Sequence, residues 1–195
     1  MENAVDIRMD DLNRQIYSLE PFHPDSYALV YCFSHHVSTI KHLIPGLVRA
    51  GIAVVHILRN EQALSGVAHW QTIQAEYAKY GIETRLIPFD QPLIHTRNES
   101  EAVITYARQK GITHIIICAP IFHMLRAFLT IASCANGEVY LRVITPEGDE
   151  GVTYITHQGQ SNDTAENLLP IEYARIRTYI EKGDIGPKFK YLLKL

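Results

Sequence analysis

Strand-like and helix-like segments alternate along this chain, and that order restricts its fold to a small group. Five short runs rich in β-branched and aromatic residues are typical of strands: 27–33, 52–58, 82–89, 113–119 and 137–145. Between them lie four stretches with the apolar spacing of helices: 38–51, 66–81, 98–111 and 122–133. This alternation predicts a doubly wound, Rossmann-like α/β fold with a mainly parallel sheet of about five strands in three layers. Right-handed crossovers and a switch point between the first and fourth strands predict the strand order 3-2-1-4-5.

The remaining chain predicts an extension of one domain rather than a second domain. At 195 residues the chain is expected to form a single α/β domain over residues 1–195, with its core at about 27–145 and a C-terminal helical extension at about 162–195. The run “VTYITHQ” (152–158) predicts a further edge strand. The segment 161–183 opens with capping-type residues and predicts an amphipathic helix despite Pro170. Pro45 is expected to kink or shorten the first helix.

The composition restricts the cellular compartment and the kinds of partner that are expected for this protein. The formal net charge of -3 gives no electrostatic reason to expect a nucleic acid or an anionic membrane surface. Cys32, Cys118 and Cys134 make an odd number without metal-ligand spacing, and buried packing explains them more simply than nucleophilic chemistry. The first residues are polar and acidic, and no apolar run approaches the ~18 residues of a membrane span. We therefore expect a cytoplasmic protein without a membrane span.

In a doubly wound sheet, ligands bind beyond the carboxyl ends of the strands. The loops expected at that edge include “SHHVS” (34–38), “DQPLIHTRN” (90–98) and “PIFHMLR” (120–126), which carry most of the polar candidates. His123, which titrates near neutral pH, is the candidate catalytic acid or base. The predicted ligand-binding residues are Ser34, His35, Arg97, Asn98, Glu101, His123 and Arg126.

Each candidate also has a structural interpretation. Arg126 is expected on a solvent-accessible edge, where its planar donor fork would hold a phosphate or carboxylate; alternatively it pairs with a carboxylate on a helix face. Thr96 or Asn98 is a natural N-cap of the third helix. Glu101 suits the positive end of that helix, and it could also position Arg97 or Arg126.

The loop histidines raise the question of a metal. His35, His36, His95 and His123 could supply imidazoles to a divalent ion, but no HxH or HExxH spacing supports this, so no metal site is predicted. The dinucleotide and P-loop glycine patterns are absent from the sequence as well.

Two segments together resemble the YdcF-like family, also called the ElyC/SanA family. The first is “TRNESEA” (96–102), where Thr96, Arg97, Asn98 and Glu101 match a Ser-Arg-Asn-Thr-x-Glu-Asn type motif that opens a helix. The second is “FHMLRA” (122–127), which matches an aromatic-His-x-x-Arg-Ala motif after a buried strand. Relatives usually carry a glycine and an arginine soon after the first strand, where this chain has “SHHVS”. “SNDTAEN” (161–167) matches the first motif better by letter but follows the second, so we interpret it as an N-cap with an acidic first turn.

The resemblance implies a Rossmann-like domain of poorly defined biochemistry, some of whose soluble members are associated with a nucleoside-type ligand such as S-adenosylmethionine. The leading hypothesis is a YdcF-like protein that binds a small anionic or nucleoside-containing metabolite at the carboxyl edge, with transferase or hydrolase chemistry. One alternative is a ligand-binding or regulatory module without turnover, which the departure in the first loop favours. The other alternative is a metal-assisted hydrolase that uses the loop histidines.

Overall fold

A computed structural model describes residues 28–33, 36–61, 68–91, 94–144, 153–155 and 162–186. Its strands are β1 (Ala28–Cys32), β2 (Val54–Arg59), β3 (Glu83–Pro88), β4 (His114–Cys118), β5 (Tyr140–Ile144), β6 (Thr153–Ile155) and β7 (Asn162–Thr164). Its helices are α1 (Val37–Arg49), α2 (Trp70–Ala78), α3 (Thr96–Lys110), α4 (Ile121–Ala135) and α5 (Ala165–Lys182).

Strands β1 to β5 form one parallel sheet in the order β3-β2-β1-β4-β5. The fold class and the strand order predicted from the sequence are therefore confirmed. In the centre, β1 and β4 pair along their whole length, from Ala28 beside His114 to Cys32 beside Cys118. Because the chain turns towards opposite sheet edges from these two strands, their carboxyl ends form the switch point of the fold.

The two faces of the sheet bury separate apolar clusters, as a three-layer fold requires. Alternate residues of the central strands point to opposite faces, so that Tyr31 and Ile117 meet the layer of α3, α4 and α5. Val30 and Ile116 meet the layer of α1 and α2 instead. The thiols of Cys32 and Cys118 are buried and not in a disulfide, which agrees with a packing role.

Local sequence signals set the ends of several helices, although one N-cap prediction was wrong. Helix α3 stops at Gly111, whose φ of 65° lies in the left-handed region where glycine is favoured. Its N-cap is His95, not Thr96 or Asn98: the His95 imidazole accepts from the Asn98 N–H, and the Asn98 side chain accepts from the His95 N–H. Pro45 lies inside α1, which continues to Arg49 and so is not shortened there.

The C-terminal part of the described chain packs back on the core. Helix α5 forms as predicted despite Pro170, and it lies against α4. The predicted edge strand forms differently, because β6 pairs antiparallel with β7 in a separate two-stranded sheet. Tyr154 of β6 is buried against Phe122 and Leu168, so this small sheet lies beside the N-terminal end of α4. Of the helices that the structure describes, none has the length and apolar character needed to cross a bilayer.

The packing of α5 against the core should depend on the apolar residues on its buried face. Ile176 is fully buried whereas Ile171, on the same helix, is 46% exposed. Ile176→Ala should lower the free energy of unfolding by about 2–5 kcal/mol, the range for a buried large-to-small change. Ile171→Ala, the matched control, should cost about 0.5 kcal/mol or less. Chemical denaturation of both variants measures the difference; equal losses would contradict the observed packing of α5.

Burial of a histidine in the sheet predicts a pH-dependent stability. His56 of β2 packs against Tyr106, and burial, helped by the nearby Arg85 charge, lowers its pKa to about 4 although a hydrogen bond to the Val30 backbone opposes the shift. The folded state therefore prefers the neutral ring, and the unfolded state binds more protons between pH 4 and 6.5.

The free energy of unfolding should accordingly be highest above pH 6.5 and should fall as the pH decreases towards about 4. The contribution of His56 to this loss should be at most about 3 kcal/mol. His56→Leu removes the titrating ring, so its stability should vary less with pH across the same window. Denaturant titrations at several pH values test this, and identical slopes for the variant and the wild type would rule out the assigned origin.

Candidate functional site

A buried group of polar side chains joins α3, α4 and α5 beneath the carboxyl edge of the sheet. Its centre is the ion pair between Arg126 of α4 and Glu172 of α5. Nε of Arg126 donates to Oε2 of Glu172 at 2.5 Å, and Nη2 donates to Oε1 at 3.2 Å, so the contact is bidentate. We call this group the Arg126–Glu172 cluster; its members are Thr96, His123, Arg126, Glu172, Arg175 and Tyr179.

The guanidinium of Arg126 is held by protein groups on several sides. Besides its two bonds to Glu172, Nη1 donates to the hydroxyls of Thr96 and Tyr179, and the group lies 5.2 Å from the Tyr179 ring centre. Only 12% of the side chain is exposed, so the expected position on a solvent-accessible edge was wrong. The structural interpretation, pairing with a carboxylate on a helix face, is what the geometry shows. The role of Arg126 as a ligand contact stays a prediction.

Glu172 is a buried carboxylate that remains charged. Only 1% of its side chain is exposed. Burial by itself would raise the pKa of this carboxyl, but the Arg126 guanidinium beside it and the contact with His123 hold the pKa well below its usual range. A third donor, Nη1 of Arg175, reaches Oε1 at 2.6 Å. Both oxygens of Glu172 therefore act as acceptors.

His123 lies in the first turn of α4, where the chain leaves the carboxyl end of β4. Its ring packs edge to face against Phe33, the residue that follows β1, so His123 sits at the switch point. Nδ1 is buried, makes no hydrogen bond within the described residues, and lies 3.5 Å from Oε2 of Glu172, just beyond the usual hydrogen-bond range of about 2.7–3.2 Å. Burial, reinforced by the Arg126 charge, lowers the pKa of His123. The ring is therefore neutral at neutral pH.

A second buried carboxylate borders the same region. Glu99, in the first turn of α3, accepts a hydrogen bond of 2.7 Å from the hydroxyl of Tyr31 on β1. Burial, together with the nearby Glu99 charge, raises the pKa of Tyr31, so the phenol stays protonated. Glu99 stands where the YdcF-like motif has a threonine, and its negative charge also acts on His123.

The side chains of the motif at the start of α3 have two different surroundings. Nε of Arg97 pairs with Glu101 at 2.6 Å, one of the two arginine pairings left open for Glu101, and Nη1 donates to the Asp184 carbonyl after α5. Asn98 and Glu101 line a groove of about 480 Å³ between α3 and the carboxyl end of β3. Arg97 therefore holds the end of the C-terminal extension, while Asn98 and Glu101 border a space that lies apart from the Arg126–Glu172 cluster.

Two predicted site residues, Ser34 and His35, lie outside the described residues. Of the loop histidines, His36 is the N-cap of α1, His95 is the N-cap of α3, and His123 belongs to the Arg126–Glu172 cluster. Within the described ranges, no group of three or more His, Cys, Asp or Glu side chains is placed to hold a metal ion. These three histidines therefore have different local roles in the structure.

The helices that begin at the switch point differ from the other described helices at their N-terminal ends. Helices α1 and α4 have neither an acidic residue in the first turn nor a side-chain cap. Helices α2 and α3 are capped by His69 and His95, and α5 has Glu166 in its first turn. The positive ends of α1 and α4 are therefore not offset by carboxylates of their own first turns.

Four residues of this region were not predicted from the sequence: Tyr31, Glu99, Glu172 and Tyr179. A signal for Glu172 was present, because it falls in an apolar stripe of i, i+4 spacing formed by Leu168, Ile176 and Ile180. An acidic residue within such a stripe indicates a buried charge that requires a partner.

No protein-family model, curated protein or solved structure matches the chain. The resemblance to the YdcF-like family, based on residues 96–102 and 122–127, therefore stays a prediction.

Removal of Arg126 should be costly, because this side chain is buried against a carboxylate rather than exposed at the edge of the sheet. Arg126→Ala leaves Glu172 charged and buried without its main partner, so the free energy of unfolding should fall by about 3–5 kcal/mol. Arg97→Ala is the matched control, since its partner Glu101 is half exposed; its cost should be about 1–2 kcal/mol.

A double variant separates loss of the pair from loss of packing. Arg126→Met with Glu172→Met removes both charges and retains much of the side-chain volume, so it should be more stable than Arg126→Ala alone. Chemical denaturation of the three variants measures the order. A double variant that is less stable than Arg126→Ala would contradict the uncompensated-charge explanation.

Proposed function

We propose that this protein binds a small anionic metabolite at the carboxyl edge of the sheet, with the anionic group between the N-terminal ends of α1 and α4. The observation that carries the proposal is the contrast among the described helices. Only α1 and α4, among these five, lack both a side-chain cap and a first-turn carboxylate, and both start at the switch point. Backbone N–H groups and the helix dipole at such ends favour a phosphate or carboxylate.

His123 adds a group that can exchange a proton with such a ligand. It lies in the first turn of α4 beside Phe33, and 13% of its side chain is exposed. A neutral imidazole at the edge of a ligand site is suited to acid–base catalysis. This supports the transferase or hydrolase hypothesis, and the alternative is binding without turnover.

The resemblance to the YdcF-like family extends the proposal to a nucleoside-containing ligand such as S-adenosylmethionine. The motif residues His123 and Arg126 both lie in α4, whose N-terminal end is part of the proposed site. Arg126 would then act from beneath the site, because its donors already engage Glu172, Thr96 and Tyr179.

Charge placed at one helix end tests the proposed position of the anion. Ser38 is an exposed residue in the first turn of α1. Ser38→Glu suits the helix dipole and should not destabilise the fold, but its carboxylate should repel a bound anion. Affinity should fall about tenfold or more, equivalent to about 1.4 kcal/mol.

Gln71→Glu is the matched control, because it adds the same charge to the exposed first turn of α2, away from the switch point. Isothermal titration with inorganic phosphate, adenosine monophosphate and S-adenosylmethionine gives the affinities, and uncharged adenosine controls for the anionic group. Native mass spectrometry of gently purified protein searches for a bound metabolite. Equal affinities for the two variants, or no binding by any anion, would refute the proposed site.

A further inference from the structure

We propose that Glu172 is a positioning residue that holds the His123 ring with its proton on Nδ1, which leaves the lone pair of Nε2 as the acceptor offered to a ligand. The inference rests on the proposed function for its purpose, since it assigns the proton acceptor of that same site. The C-terminal helix α5, which supplies Glu172, would thus be part of the site rather than an appendage.

The contact between the two side chains decides which nitrogen carries the proton. Oε2 of Glu172 lies 3.5 Å from Nδ1 of His123, and both atoms are buried. A charged carboxylate only accepts hydrogen bonds, so a lone pair on Nδ1 would face it with like charge, whereas an N–H would face it favourably. A neutral imidazole has one N–H, and with that proton on Nδ1 the other nitrogen, Nε2, must be the acceptor.

The exposure of the ring is consistent with this orientation. Nδ1 is buried, so the 13% of the side chain that stays exposed belongs to other atoms of the residue. The ring also contacts Phe33 at the end of β1 and Phe122 in α4. Between these two aromatic side chains, the ring has Nδ1 on the side of Glu172.

The charged groups around the ring come from three helices. Arg126 of α4 and Arg175 of α5 both pair with Glu172, and Arg126 opposes a positive charge on His123. Glu99 of α3, bonded to the hydroxyl of Tyr31 of β1, favours that charge. The carboxylates of Glu172 and Glu99 would therefore stabilise an imidazolium, while the charge of Arg126 favours the neutral ring.

This arrangement defines a proton transfer of a specific kind. A ligand hydroxyl or a water molecule would give its proton to Nε2, and its oxygen would keep the electron pair of the broken O–H bond. The ring would become an imidazolium with N–H groups on both nitrogens, and Glu172 would accept from Nδ1. The ring returns to its resting state when it passes the proton to a leaving group.

The tautomer can be measured directly, without a ligand. Two-bond proton–nitrogen correlation spectra of protein labelled with ¹⁵N-histidine distinguish the two neutral tautomers, and His123→Gln identifies the His123 signals among the ten histidines. The expected result for the wild type is the Nδ1–H tautomer. A wild-type ring protonated on Nε2 would overturn the proposal by itself, so the test does not depend on any variant folding.

Glu172→Gln and Arg175→Ala form a matched pair. The amide of the glutamine can donate to Nδ1, so Glu172→Gln should shift His123 towards the Nε2–H tautomer and lower its titration midpoint by on the order of one pH unit. Arg175→Ala removes a partner of Oε1 but leaves Oε2, the atom that faces the ring, so the Nδ1–H tautomer should persist. If Glu172 has only a structural role, His123 should have the same tautomer in both variants and in the wild type. That result would contradict the proposed positioning role of Glu172.

The two proposals fail separately. The tautomer is read from the protein alone, so an incorrect tautomer refutes the role of Glu172 whether or not an anion binds. If instead the tautomer is as expected but Ser38→Glu and Gln71→Glu bind anions equally, the proposed position of the ligand is wrong while the orientation of His123 stands.

Discussion

The bidentate pair between Arg126 and Glu172 determines how the C-terminal helix meets the rest of the fold. Both groups are largely withdrawn from water, which costs several kcal/mol per ion before their attraction is counted. The hydroxyls of Thr96 and Tyr179 accept hydrogen bonds from Arg126, and Arg175 donates one to Glu172, so the further donors and acceptors that such a pair requires are satisfied. A shift of α5 along its axis would leave both charges buried and unpaired. We infer that the pair helps to fix the register of α5, together with the apolar packing of that helix.

The same ion pair connects α5 to residues at the carboxyl edge of the sheet. Glu172 holds Arg126 through both oxygens, and Oε2 also faces the ring of His123. Glu172 thus connects α5 directly to the first turn of α4, which lies at the switch point. Arg97 makes a second connection of this type through the Asp184 carbonyl. The segment after the sheet thus takes part in positioning residues that the sheet alone would place only approximately.

Much of the fold could be predicted because its signals are local. The apolar run “HIIIC” at 114–118 and the helical spacing of 96–110 each arise from a few adjacent residues, and the alternation of such segments leaves one favoured topology. The N-cap of α3 was not predicted, because histidine is not among the preferred N-cap residues whereas threonine, present at Thr96, is one of them. In the structure the hydroxyl of Thr96 bonds to Arg126 from another helix.

The site was predicted in part. His123 and Arg97 lie in the first turns of helices that follow strands, which the order of elements had indicated. The partners of the arginines could not be read from spacing, because Glu172 lies 46 residues from Arg126 and Asp184 lies 87 residues from Arg97. Many acidic residues in this chain are equally available to an arginine when only the sequence is known.

By itself, the sequence determined the parallel α/β architecture, the strand order and the edge at which the histidine and arginine motifs begin. Periodicity, glycine stops and crossover handedness are properties of short segments and their order, so they hold without knowledge of distant contacts. Only the tertiary structure decided that Arg126 is buried, that Glu172 is its partner and that Nδ1 of His123 faces a carboxylate. Those outcomes depend on which groups are withdrawn from water together, and burial of a charge is acceptable only where the packed chain supplies a partner for it.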